Sequence, residues 1–123
     1  MGMESRAGVR VKMDANVMVG IDMAMKENVR ILREPKKAEI LDVSVIGIGL
    51  LAPIYFPKGA ILIINVDASV FKMEKPAKII GEVRYCQPAK EGRYRLGIQF
   101  AEIDKPLLAK ITEYVEHNKD KAA

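Results

Sequence analysis

The sequence predicts a small six-stranded antiparallel β-barrel with a C-terminal α-helix and a flexible N-terminal arm. Three observations carry this. Short runs of alternating apolar and polar residues recur between Val11 and Phe100, turn-forming residues separate them, and the apolar spacing becomes helical only after Asp104. Closing the strands on themselves removes exposed edges, and the helix covers an open mouth or an apolar side. The expected organisation is one domain over 1–123, with an arm at 1–10, a barrel at 11–103 and a helix at 104–118.

Residues 1–10 lack apolar periodicity and contain Gly8, as a mobile arm would. From Val11 the pattern turns strand-like: Val17, Val19, Ile21, Met23 and Met25 alternate with Met18, Gly20, Asp22 and Ala24. Lys26-Glu27-Asn28 suits a turn. A second strand region runs from Val29 to Val43, interrupted at Glu34-Pro35-Lys36-Lys37, where a proline and two lysines suit a hairpin tip or an edge. Ile48–Ala52 is short and apolar and is followed by Pro53 and Pro57. Ala60–Val66 is rich in β-branched residues. Ala77–Tyr85 places Ile79, Gly81, Val83 and Tyr85 on one face, and Pro88–Gly92 reads as a polar turn. Tyr94, Leu96, Ile98 and Phe100 then alternate with Arg95, Gly97 and Gln99, so the first set is expected to fill the barrel and the second to face outward. Asp104 suits a helix cap, Pro106 a first turn, and Leu107, Leu108, Ile111, Tyr114 and Val115 an apolar helix face; the tail from His117 is expected to fray.

The chain is long enough to bury a core, and 50% of its residues are hydrophobic and 29% charged, as in ordinary globular proteins. No apolar run approaches the length of a membrane span, and the N-terminal region lacks the apolar centre of a signal peptide. The single cysteine, Cys86, excludes an internal disulfide framework and suits a reducing cytoplasm, the expected location. A net charge of +4 permits an anionic ligand, while lysines interleaved with acids argue against a duplex-binding face.

Catalysis finds little support. His117 has no second histidine to share a metal, Ser44 has no evident base, and Cys86 reads as a packed small residue. Gly47-Ile48-Gly49 lies between strands, the wrong context for a phosphate loop. A non-enzyme is expected, with no cofactor and no metal. A barrel for single-stranded nucleic acid would want surface aromatics for base stacking, and the aromatic residues outside the apolar face of the last strand are scattered. No DNA or RNA partner is expected.

Binding is better supported. Arg6 and Arg10 form RxxxR, and guanidinium forks two hydrogen bonds onto phosphate or guanine and stacks on flat rings. Asp42, Ser44 and Gly47 form DxSxxG at the end of a strand, where alternation points Asp42 and Ser44 the same way. RxxxR arises by chance in roughly a third of chains this long and DxSxxG in only a few per cent, so their order and strand context matter more than either alone.

With these motifs the sequence resembles the PilZ domain, a family of receptors for the bacterial messenger cyclic di-GMP. RVKMDANVMV is similar to the family's first strand, DVSVIGIGLLAP to its second motif running into a strand, and YRLGIQFAEID to its last strand entering the helix. The resemblance implies that Arg6 and Arg10 neutralise phosphate and grip guanine, that Asp42 accepts from guanine N–H groups, that Ser44 adds a hydrogen bond and that Gly47 admits close approach. Gly97 would leave room for a guanine and Arg95 would support the rim. Ser5, where ligand-dimer binders carry an arginine, favours one ligand molecule. The resemblance further implies an arm that orders on binding and signals to an unidentified protein effector of motility, adhesion or exopolysaccharide machinery. The alternative is an adaptor of the same family that binds protein but no nucleotide. Monomer and homodimer are both compatible with the sequence.

Overall fold

The computed structural model describes residues 9–21 and 35–122. Arg6 and the rest of 1–8, Met23, Met25, the Lys26–Asn28 turn and the stretch from Val29 to Glu34 lie outside the described residues.

Six strands close into a barrel: β1 (Val11–Ile21), β2 (Lys36–Val43), β3 (Gly47–Ala52), β4 (Ile61–Val66), β5 (Ala77–Pro88) and β6 (Tyr94–Ile103). Around the barrel the order is β1-β2-β3-β6-β5-β4, every neighbour antiparallel. The alternating residues fill it as the period of two requires. Val17, Val19, Ile40, Ile48, Leu50, Leu62, Ile64, Ile79, Val83, Leu96 and Ile98 are buried, with Phe56 and Phe71 contributed by loops. Three strands outrun their expected limits, β3 beginning at Gly47, β5 reaching Pro88 and β6 reaching Ile103.

Tyr94 and Phe100 are only half-buried, because they lie at the two ends of the buried run of β6. Tyr94 packs edge-on against Tyr55, ring centroids 5.7 Å apart. A larger departure concerns Tyr85, expected on one face with Ile79, Gly81 and Val83. Between Val83 and Tyr85 the β5–β6 register slips: Val83 faces Ile98, whereas Tyr85 faces Gly97. Arg84 is therefore an extra residue, a β-bulge that turns the next side chain to the opposite face. Tyr85 is left 38% exposed.

Helix α1 (Lys105–His117) buries Leu107, Ile111 and Val115, one apolar stripe at three- and four-residue spacing. Asp104 stands at the N-cap position, yet its side chain makes no capping hydrogen bond; its carbonyl accepts from Leu108 N–H. The Tyr114 ring meets Phe71 edge-on at 5.9 Å, and its hydroxyl donates to the Lys12 carbonyl over 3.1 Å. β1 pairs with β4 only from Met18 to Ile21, which leaves that edge of its first half for the C-terminal segment. There the expected fraying is not seen. Lys119–Lys121 forms a 3₁₀ turn, and Ala122 makes an antiparallel bridge with Val11. Among the described residues no helix is long and apolar enough to cross a membrane.

Candidate functional site

The site begins with a second bulge. Ile40 on β2 faces Leu50 on β3, but Asp42 faces Gly49, so Leu41 is the extra residue. Regular alternation would send Asp42 into the barrel with Ile40; the bulge turns it onto the outer surface, while Val43 returns to the core. There the carboxylate lies over Gly49, where a Cβ would come within 2.7 Å of Asp42 Oδ1. Gly49 is thus required by the site although it falls outside DxSxxG. The available signal was its place two residues beyond Gly47, on the same face of a strand.

Asp42 is 3% exposed and holds two arginines. Arg10 Nε lies 3.2 Å from Oδ1, and Arg95 Nη2 donates to Oδ2 over 3.1 Å. The Arg10 contact is an ion pair without hydrogen-bond alignment, so among the described residues the buried Oδ1 has no hydrogen-bond donor. Such an atom is costly to leave unmatched unless charge compensates it, as the two guanidinium groups do here. Their side chains remain 32% and 43% exposed, leaving part of each cation available to an anion. The Arg95 pKa is raised above its ordinary value, first by its hydrogen bond to Tyr85 and further by the Asp42 carboxylate, against an opposing effect of burial. It stays charged throughout the range in which proteins work.

Ser44 has no exposed surface. Its Oγ accepts from the backbone N–H groups of Ile46 at 3.2 Å and Gly47 at 3.1 Å and from Arg10 Nη1 at 3.2 Å, and donates to the Gly47 carbonyl at 3.4 Å. The hydroxyl therefore organises the β2–β3 turn and anchors Arg10. Gly47 does admit close approach, and what approaches is backbone: a Cβ there would come within 2.4 Å of the Ile98 carbonyl on β6.

Gly97 lies outward, as its parity requires. The space above it is occupied by the Tyr85 ring, which a Cβ at Gly97 would meet at 2.1 Å. Gly97 also pairs with Gly49, so Asp42, Gly49, Gly97 and Tyr85 form one row across β2, β3, β6 and β5. A bulge at each end lays a side chain over a glycine of the adjacent strand. On one flank of the row an open cleft of about 340 Å³ is lined by Arg10, Ile46, Gly47, Arg84, Tyr85, Gly97, Ile98 and Gln99. On the other a broader hollow of about 690 Å³ includes Lys12, Glu39, Asp42, Arg95 and Lys121. The structure thus brings together Arg10, Asp42, Ser44, Gly47, Arg95 and Gly97. Tyr85 and Ile46 are the neighbours that sequence reasoning missed.

The family model described as the PilZ domain matches residues 4–117. The chain belongs to the PilZ domain family. No curated protein matches the sequence. Among solved structures this PilZ chain is similar to the Bacillus subtilis inhibitor of motility MotI/DgrA, with a TM-score of 0.65, 16% identity, 89% of this chain covered and 48% of that one. This chain thus spans about half the length of that protein. It is also similar to the PilZ domain of YcgR from Escherichia coli, solved with c-di-GMP, at a TM-score of 0.63 and 11% identity over 94% of this chain and 92% of that one. At these identities the likeness is one of fold.

Proposed function

We propose that this PilZ domain is a cyclic di-GMP receptor without catalytic activity that passes its state to a partner protein. One observation carries the reading: two partly exposed arginines, the motif residue Arg10 and the β6 residue Arg95, are clamped on the buried motif carboxylate of Asp42, beside an open cleft. Two cations on one anion leave a net positive charge held in place in advance, which lowers the ordering cost of gripping a phosphate. Membership of the family supports the ligand, as does the YcgR domain solved with c-di-GMP.

In this reading Arg10 and Arg95 meet phosphate or guanine, and Asp42 positions both. When Arg10 turns toward the ligand, Oδ1 is freed to accept from a guanine N–H. Ser44 acts indirectly, by holding the turn and Arg10; Gly47 and Gly97 keep the strands close and the outer face low. Arg6 adds a further cation from the arm.

Titration calorimetry with cyclic di-GMP tests this. Binding at a low-micromolar or tighter dissociation constant is expected, and Arg10→Ala and Asp42→Ala each lose about 1.5–3 kcal/mol, the scale of charged hydrogen bonds. Absence of binding by the unaltered protein at ~100 μM ligand would sink the reading.

The adaptor reading, protein binding without nucleotide, has one observation in its favour: Asp42 is already neutralised by the chain's own arginines, as in a structural ion-pair cluster. A cellular phenotype that survives substitution of both Arg6 and Arg10 would select it.

A further inference from the structure

We propose that Tyr85 is a ligand-contacting residue whose ring forms one wall of a cleft that takes a purine base, a role resting on the cyclic di-GMP reading above. Four large apolar side chains are conspicuously exposed among the described residues: Met18, Ile46, Tyr55 and Tyr85. Two of them, Ile46 at 47% and Tyr85 at 38%, line the same cleft. They reach it from opposite sides. Ile46 lies in the turn just before β3 and Tyr85 on β5, with β6 between those strands. Gly97 and Gly47 contribute no side chains to this surface, and Arg10 lines the cleft as well. Two apolar walls with a guanidinium alongside form a slot suited to a flat, polar-edged ring. Its volume of about 340 Å³ falls within the range of small-molecule sites.

The placement of the ring is specified. The Arg84 bulge turns Tyr85 outward, and Gly97, its partner on β6, provides a side-chain-free seat under the ring. A ring already held loses little rotamer freedom on stacking. The bland account is that Tyr85 merely covers a glycine and stiffens the sheet, which any large apolar side chain would do equally well.

Tyr85→Leu separates the two accounts, because it keeps the apolar cover and removes the planar face. Cyclic di-GMP is titrated calorimetrically into the unaltered protein, Tyr85→Leu and Tyr85→Phe, with thermal melts alongside. Stacking predicts at least about tenfold weaker binding for Tyr85→Leu and no more than about threefold for Tyr85→Phe. Equal affinity of Tyr85→Leu and the unaltered protein overturns the inference while leaving the receptor reading intact. Failure of the unaltered protein to bind removes both. The chain contains no tryptophan, so Tyr85→Trp places a single indole in the site. Its emission is expected to be quenched at saturating cyclic di-GMP, and unchanged emission in a variant that binds ligand would count equally against the inference.

Discussion

Ser44 shows how far a motif residue's role can lie from its reputation. Its hydroxyl serves two backbone N–H groups and Arg10 at once, with no surface left for an outside partner. Ser44→Ala leaves buried donors unmatched, and urea unfolding is expected to show a loss of about 1–3 kcal/mol. Binding should weaken too, through Arg10, and Ser44→Thr should rescue part of the stability. Arg10, Asp42 and Ser44 were legible as a set because their spacing survives in the linear chain. The direction in which Ser44 spends its hydrogen bonds was not, since the same residue type serves a ligand and a turn equally well. Arg95 illustrates charge at this scale. Its raised pKa means that the stabilisation it contributes is complete below the ordinary arginine value and is lost only as pH rises beyond it. Replacing Arg95 with methionine should therefore reduce ligand affinity by a similar factor at pH 6 and pH 8, measurable by paired titrations.

At the scale of strands, alternation identified most of the inner face and failed at two places, both of them bulges. Leu41 and Arg84 each add one residue to a strand, and each inverts the side chain that follows. Neither position carries a glycine or proline to announce it, which is why the alternating pattern groups Tyr85 on one face with Val83. Asp42 reached the outer face by the same device, so the polar half of the site depends on an irregularity that a strict period of two would have forbidden. The glycines opposite are the counterpart. Gly49→Ala sets a methyl against the Asp42 carboxylate, a side chain that can shift only by loosening its arginines, and is expected to lower affinity at least as much as stability. Gly47→Ala sets the same methyl against the Ile98 carbonyl, which cannot give way without moving β6. Overpacking of this kind costs about 1–3 kcal/mol or more. Thermal melts of the two variants should rank Gly47→Ala as the more damaging.

Over the whole molecule, the barrel order was beyond the sequence. Strands could be counted from periodicity, but the passage of β3 to β6 instead of β4 is a tertiary outcome with no local mark. The helix was legible because its apolar stripe is regular; Leu107 and Ile111 are fully buried, and truncating either to alanine should cost about 2–5 kcal/mol in denaturant unfolding with little direct effect on the ligand site. The bridge between Val11 and Ala122 was not foreseen, since nothing in a polar tail announces a strand partner. It puts residue 122 alongside the residue that follows Arg10. A small environment-sensitive dye attached at that position, in a chain whose lone cysteine has been changed to serine, would sit next to the arginine without occupying the cleft. The fold thereby supplies an attachment point for an optical reporter of cyclic di-GMP, in which recognition at one end of the chain is read out at the other.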